Sequence, residues 1–182
     1  MQRKSFEGSR CPVARSLERV GEWWNILILR DAFYGMTRFD EFQKSLDIAP
    51  NMLTRRLNGL VESGLMERRQ YSDRPPRYEY VLTDIGRDFK PVITAFMTWG
   101  NKHFAPEGIA VMLTNVATGE RVTPVLVDEA SGKKINAKDY VIAAGPAASE
   151  GIRKRIAFAA EKRAAPDKKP DFPPEDGSAP QI

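Results

Sequence analysis

The sequence of 182 residues is short of the residue types that most enzymes use for chemistry. It contains one cysteine, Cys11, and one histidine, His103. A single cysteine cannot form an intrachain disulfide or a cysteine-rich metal site, and a single histidine leaves no pair to bind a metal. The glycine-rich phosphate and dinucleotide motifs and the G-x-S-x-G nucleophile motif are also absent. The sequence therefore predicts a protein that is not an enzyme and carries no cofactor or metal.

Long apolar runs are missing as well. No stretch approaches the ~20 apolar residues that a membrane-spanning helix requires. The first ten residues, MQRKSFEGSR, have no apolar signal core. We expect a soluble, cytoplasmic protein with no membrane partner.

Positive charge is concentrated in the first part of the chain. Residues 1–104 contain 17 Lys and Arg against 13 Asp and Glu, a net charge of +4, whereas residues 105–182 contain 11 of each. A net charge of +4 is common among proteins that bind no nucleic acid. Its confinement to one segment is nevertheless what a phosphate-binding module requires.

Two helices joined by a tight turn are predicted between Thr37 and Gly64. The first opens at Thr37, with Asp40 at capping-box spacing. Residues 47–49 leave room only for a turn. Pro50 suits the first turn of the second helix, and Gly64 lies where a C-terminal cap belongs. The pattern is that of a helix-turn-helix.

The second helix has an apolar face of leucines and a polar outward face. Asn51, Arg55 and Asn58 point away from the leucines, with Thr54 and Arg56 on the flanks. These side chains suit base edges and phosphates.

A basic hairpin follows. Two runs with β propensity, residues 67–71 and 78–82, are separated by residues 72–77. Pro75 and Pro76 cannot lie inside a ladder, so they mark the tip. A helix-turn-helix followed by such a hairpin predicts a winged helix, of mainly α (α+β) class.

From Cys11 to Trp99, about half the chain, the sequence resembles the HxlR-type winged-helix regulators of bacteria. The matching residues, in order, are Cys11-Pro12, Gly21-x-x-Trp24, Ile26-Leu27-Ile28-Leu29-Arg30, Gly35-x-x-Arg38-Phe39-x-x-Phe42, Leu53-Thr54-x-Arg56-Leu57, Gly64-Leu65, Pro75-Pro76-Arg77-x-x-Tyr80-x-Leu82-Thr83-x-x-Gly86, Pro91 and Trp99. Ala49, where a Ser or Thr cap is usual, and Trp23, where a basic residue is usual, depart from the pattern. The resemblance implies a homodimeric transcriptional regulator that binds a pseudo-palindromic promoter site in double-stranded DNA.

Residue roles follow from that expectation. Asn51, Thr54 and Arg55 are placed for bases, and Arg38 for clamping the backbone. Phosphate contacts are expected from four further arginines, Arg56, Arg69, Arg74 and Arg77. The alternative is a winged helix used as a protein-interaction module without sequence-specific DNA binding. Such a module should show apolar residues on the outward helix face, where this chain has Asn, Thr and Arg.

Helices are predicted on both sides of the motif, at residues 12–20, 23–33 and 83–103, the last kinked or broken at Pro91. The last helix has more large apolar residues than a small core can cover, which predicts a partner. In the resembling family this helix, together with the first one, forms a two-fold dimer. The expected interface residues are Phe89, Ile93, Phe96 and Trp99. The alternative is that the stripe is buried within the monomer.

Cys11, beside Pro12 at a helix start, has two interpretations. The helix dipole would stabilise its thiolate, and some members of the resembling family use this position to sense oxidants or electrophiles. The alternative is an inert packed thiol. An electrophile or another small molecule is therefore the expected class of effector.

Residues 105–163 change in character. Short β-like runs at residues 109–113, 123–127 and 140–144 surround a repeat with a 13-residue offset, each unit with a glycine in a turn. The layout resembles a zinc ribbon without its cysteines, since the four ligand positions are Asn115, Thr118, Asp128 and Ser131. Such a set lacks the soft ligands of structural zinc, so a small metal-free β appendage is expected.

The chain is thus expected to consist of four segments. Residues 1–10 form a flexible N-terminus and residues 11–104 a winged-helix DNA-binding and dimerisation domain. Residues 105–163 form the β appendage with a short helix at 152–162. Residues 164–182 hold five prolines and many charges, which predicts a disordered tail.

Overall fold

A computed structural model describes residues 5–6 and 8–164. Residues 165–182, which include nearly all of the predicted tail, and residues 1–4 and 7 lie outside the described part. The chain divides into two compact units, residues 1–136 and 137–182. The first unit therefore contains both the predicted winged helix and the repeat that follows it. No helix of the described residues is both long enough and apolar enough to cross a membrane.

Helices dominate the first unit, and their bounds agree closely with the sequence pattern. The elements in chain order are α1 (Pro12–Val20), α2 (Trp23–Phe33), α3 (Phe39–Leu46), α4 (Pro50–Glu62), β1 (Met66–Asp73), β2 (Pro76–Leu82), α5 (Asp84–Arg87), α6 (Lys90–His103), β3 (Leu113–Thr114) and β4 (Arg121–Val122). The second unit contains α7 (Glu150–Ala164).

The core lies between α2, α3, α4 and the base of the hairpin. Its fully enclosed side chains come from the apolar faces of these elements, and they are Ile28, Leu29, Phe42, Leu53, Leu57, Leu60 and Met66. Trp24 packs against this cluster, as its helical position predicts. Burying one face of α4 in this way leaves its opposite face in solvent.

The start of α3 differs from the prediction by one residue. The helix begins at Phe39 with Arg38 as its N-cap, and the carboxylate that caps it belongs to Glu41 and not to Asp40. Glu41 Oε2 accepts hydrogen bonds from the backbone N–H groups of Thr37 and Arg38, both at 2.9 Å. These two bonds lower the pKa of Glu41 below its ordinary value, since they stabilise the charged form.

Strands β1 and β2 form an antiparallel hairpin that is longer than predicted. The pairing runs from Met66 opposite Leu82 to Asp73 opposite Pro76. The tip is therefore Arg74-Pro75 alone, and the predicted six-residue tip is wrong. Pro76 is tolerated because it lies at the end of a ladder, where its missing N–H is not needed. The backbone oxygen of Thr37 accepts a 2.7 Å hydrogen bond from the backbone N–H of Tyr80. The segment just before α3 is therefore bonded to β2.

The predicted break in the last helix is confirmed. Thr83 Oγ1 caps α5 by accepting a 3.1 Å bond from Gly86 N, and α6 begins anew with Pro91 in its first turn. Gly86 permits this turn because an added Cβ would lie 2.0 Å from Leu65 O. The chain therefore turns sharply between the hairpin and α6.

The segment after α6 forms fewer strands than predicted. Only Leu113–Thr114 pairs with Arg121–Val122, and a single bridge joins Val127 to Lys134. Residues 109–112, 123–126 and 140–144 are not strands, so most of the predicted β runs are wrong. Their side chains are apolar enough for strands, but within the described chain no second layer covers them.

Candidate nucleic-acid interface

The outward face of α4 is polar and open. Leu53, Leu57 and Leu60 are fully buried, whereas Asn51, Thr54, Arg55 and Asn58 on the other side are exposed. Within the described residues Arg55 makes no ion pair, so its guanidinium keeps all five donors for a ligand. Thr54 Oγ1 donates to Pro50 O at 2.9 Å, which leaves its oxygen as an acceptor.

Arg56 differs from its neighbours on the helix. Its guanidinium forms a 2.9 Å ion pair with Glu22, and its side chain is only 15% exposed. Glu22 is at the N-cap position of α2, so the ion pair joins α4 to the junction between α1 and α2. Arg56 thus holds α4 in place, a role that the sequence pattern did not indicate because Glu22 lies 34 positions away.

A groove of about 600 Å³ separates the polar face of α4 from the α1–α2 junction. Asn51, Arg55 and Asn58 line one wall, and Arg19 and Asn25 line the other. Asn25 is 6% exposed; its Nδ2 donates to Arg19 O at 3.1 Å, whereas its Oδ1 has no hydrogen-bond partner in the described chain. The groove is an open, polar surface centred on the predicted base-reading residues.

Several arginines of the β1–β2 hairpin, the wing, are restrained by side-chain contacts. Arg69 lies opposite Glu79 in the hairpin and forms a 2.9 Å ion pair with it. The guanidinium carbon of Arg68 lies 3.6 Å from the ring centroid of Tyr78. Such contacts fix the direction in which a guanidinium points while leaving it in solvent. Arg68 was not among the predicted site residues, although the alternation of the strand could have revealed it.

The least restrained cations of the hairpin lie at its tip and beside the tip in β2. Arg74 and Arg77 are exposed and form no ion pair with any described residue. Arg38 forms a bridge to Glu79, midway along β2, and its guanidinium carbon lies 4.9 Å from the Tyr71 ring centroid. The predicted phosphate contacts on and beside the hairpin therefore comprise restrained cations at Arg38 and Arg69 and open ones at Arg74 and Arg77.

The predicted dimer residues differ in how far they are exposed in the single chain. Phe96 and Trp99 are 49% and 54% exposed, whereas Ile93 is half-buried and Phe89 packs against the core. Trp99 makes an edge contact with the exposed Phe104 at 4.8 Å between centroids. The exposed aromatic residues of α6 are thus Phe96 at its middle and Trp99 near its end.

Cys11 is a free, half-buried cysteine at the N-cap of α1. Its backbone N–H donates to Ser9 Oγ at 3.2 Å, and its side chain makes no cap hydrogen bond. The position at the helix start agrees with the sequence pattern.

The two repeat units form matching knuckles. Gly119 and Gly132 both have positive φ, of 71° and 66°, and each donates its N–H four residues back, to Asn115 O and Asp128 O. In the second unit the Ser131 hydroxyl donates to the Asp128 carboxylate and lowers its pKa. Among the described residues no group of three or more His, Cys, Asp or Glu could hold a metal ion.

Comparisons with known proteins agree with this geometry. Residues 19–108 match the family model described as HxlR-like helix-turn-helix. An uncharacterized HTH-type transcriptional regulator of Mycobacterium tuberculosis, Rv3095, is 42% identical over 142 residues, or 78% of this chain and 89% of the relative. Another, YdeP of Bacillus subtilis, is 39% identical over 99 residues, 54% of this chain and 76% of the relative.

Two solved structures are also similar. PA1374 of Pseudomonas aeruginosa, a proposed transcription factor, has 56% sequence identity and a TM-score of 0.59, covering 80% of this chain and 99% of its own. PA1607, also a proposed transcription factor, has 39% identity and a TM-score of 0.70 over 78% of this chain and 100% of its own. With a winged helix, a polar recognition face and these relatives, the chain belongs to the HxlR-like family of helix-turn-helix transcriptional regulators.

Proposed function

We propose that the protein binds a pseudo-palindromic promoter site as a homodimer and regulates transcription in the bacterial cytoplasm. The observation that carries this proposal is the outward face of α4, where Asn51, Thr54, Arg55 and Asn58 are exposed over a fully packed leucine face. A helix of this kind can enter the major groove and present hydrogen-bonding groups to base edges. A protein-interaction module would need apolar residues on that face.

In this proposal Asn51, Thr54 and Arg55 meet bases, and the wing meets phosphates. Arg74 and Arg77 have no internal partner in the described chain, so binding DNA would not require them to break an ion pair. Arg38 and Arg69 would add fixed contacts nearer the base of the wing. Because Arg56 is paired with Glu22, we assign its main role to positioning α4.

The dimer is supported by the exposed aromatic residues of α6. Phe96 and Trp99 are about half exposed in the single chain, and apolar patches of this kind mark protein contacts. A two-fold axis would place the two recognition helices about one turn of DNA apart, ~34 Å.

The test is a selection of binding sites from random double-stranded DNA, followed by anisotropy titration of the selected site. Enrichment of an inverted repeat, bound by two chains, is the expected result. If no sequence is enriched over several rounds, and binding to all DNA is equal, the sequence-specific function is wrong.

A further inference from the structure

We propose that residues 105–136 form a dimerisation arm that packs against a second copy of this chain. The proposal rests on the homodimer proposed above and extends it beyond α6. Ten large apolar side chains between Ile109 and Ile135 are 37–102% exposed, and no residue from 105 to 136 is buried. A segment with this composition lacks a core of its own.

The hairpins in this segment need an external surface. The β3–β4 ladder has two residue pairs, and the second knuckle has one bridge. Isolated two-stranded hairpins are marginally stable in water unless an apolar face packs on another element. Both knuckles are nevertheless closed by hydrogen bonds of 2.8 Å, from Asn115 N to Glu120 O and from Asp128 N to Lys133 O.

The size of the α6 surface shows why a second copy is the fitting partner. Large aromatic side chains bury about 150–250 Å² each, so half-exposed Phe96, Trp99 and Phe104 together offer on the order of 300 Å². A stable interface needs about 800 Å² from each partner. These three aromatic side chains are therefore too small an area by themselves, whereas the apolar side chains of the arm would add on the order of 500 Å².

The arm also continues directly from the α6 surface. Asn101 Nδ2, in the last turns of α6, donates to Val111 O at 2.8 Å and ties the start of the arm to the helix. The charges from residue 105 to 136 nearly balance, four acidic against three basic, so self-association meets little net repulsion. Balanced charge also makes this segment a poor phosphate-binding surface.

The relatives show that this segment is shared. The 142-residue match to the mycobacterial regulator exceeds the first 108 residues of the chain, so at least 34 matched residues lie beyond the family model. The segment is thus a feature of a subgroup of the family and not a local extension of this chain.

The test compares dimer dissociation constants of the full chain by sedimentation equilibrium. Leu126→Asp places a charge on an apolar side chain that is 68% exposed and should leave the fold intact. We expect it to weaken the dimer at least tenfold. Thr123→Asp, an exposed polar position on the same segment, adds the same charge without removing apolar surface and should change the constant less than threefold. Circular dichroism and the unfolding midpoint check that both variants fold as the wild type does.

Phe96→Asp separates failure of the arm from failure of the dimer. If Phe96→Asp yields monomers while Leu126→Asp dimerises as the wild type does, the arm proposal is wrong and the α6 dimer stands. If the wild-type chain is a monomer at micromolar concentration, the proposed dimer and the arm are both wrong. Weakening by both Phe96→Asp and Leu126→Asp, with Thr123→Asp unaffected, supports the arm.

Discussion

The arginines of α4 and of the hairpin have different surroundings in this protein. Arg55, Arg74 and Arg77 are exposed without an ion pair in the described chain, whereas Arg56 and Arg69 are paired with Glu22 and Glu79. The Arg69–Glu79 pair, whose arginine side chain is 60% exposed, contributes little to stability, ~0–1 kcal/mol. Its consequence is geometric, because it holds the guanidinium across the hairpin against Glu79.

Arg55→Ala and Arg77→Ala should separate base reading from phosphate binding. Arg55→Ala should cost roughly 1–3 kcal/mol per protomer on the selected site and little on random DNA, since a guanidinium can bond guanine bidentately. Arg77→Ala should weaken both DNAs similarly and flatten the salt dependence by about one unit of slope. Salt titrations of both variants on selected and scrambled DNA measure these effects. Equal loss on both DNAs for Arg55→Ala would show that it does not read bases.

Cys11 provides a second prediction at this scale. If it senses electrophiles, iodoacetamide should label it faster than a free peptide thiol, and a mild oxidant should lower DNA affinity. Cys11→Ser should keep DNA binding and lose the response to oxidant. Labelling no faster than the peptide, together with unchanged affinity after oxidation, would identify an inert packed thiol.

At the scale of elements, the position of α4 depends on contacts far apart in sequence. Glu22, at the N-cap position of α2, pairs with Arg56 of α4, whose Nε is buried without a hydrogen-bond partner in the described chain. Glu22→Ala would leave a largely buried guanidinium uncompensated, at a cost of about 1–3 kcal/mol. Asp84→Asn, in a pair whose carboxylate is 94% exposed, is the control and should cost less than ~0.5 kcal/mol. Urea unfolding of the two variants measures the difference, and equal small effects would show that the Glu22 pair does not hold the helix.

The cap of α3 predicts a pH dependence. The pKa of Glu41 is lowered by the N–H groups of Arg38 and Thr37, so its stabilisation is fully present above the ordinary value of 4.5 and is lost as the pH falls through the lower folded value. Glu41→Gln should therefore lower stability at pH 7, and the difference from the wild type should shrink below pH 4.5. Asp40→Asn, the neighbouring exposed carboxylate, should show little of this behaviour in the same urea titrations. A similar pH dependence for both variants would mean that the two backbone bonds are not responsible.

Local patterns were sufficient to predict most elements, and the failures have physical causes. The bounds of α1 and α2 follow from Pro12, Gly21 and the apolar period, and they agree with the structure. The cap of α3 was assigned to the wrong residue because the sequence pattern does not distinguish the adjacent carboxylates Asp40 and Glu41. The hairpin was predicted too short because the pattern does not show that Pro76 can lie at the end of a strand. Too many β-strands were predicted after residue 108 because apolar alternation shows only that a face is suited to burial. In the described chain no other element buries that face.

The candidate site likewise has features that local sequence patterns predict and features that they do not. The exposure of Asn51, Thr54 and Arg55 follows from the 3.6-residue period of α4. The pairing of Arg56 with Glu22 and the contact of Arg68 with Tyr78 depend on tertiary packing and hairpin register. Sequence periodicity alone therefore predicted the exposed face of α4 and missed these two contacts.

At the scale of the whole molecule, the two-fold symmetry of the proposed dimer would fix the spacing of the DNA site. Two recognition helices related by one axis can meet the same face of the duplex only if the half-sites are separated by about one helical turn, ~10 base pairs. Inserting five base pairs at the centre of the selected site turns one half-site to the opposite face. One α4 would then lose its base contacts, at a cost of at least about 2 kcal/mol. Replacing the same central base pairs without changing the spacing is the control and should cost less, because the proposed base contacts lie in the half-sites. Anisotropy titrations on the three DNAs measure both effects, and affinity indifferent to the insertion would show that the two chains bind independently.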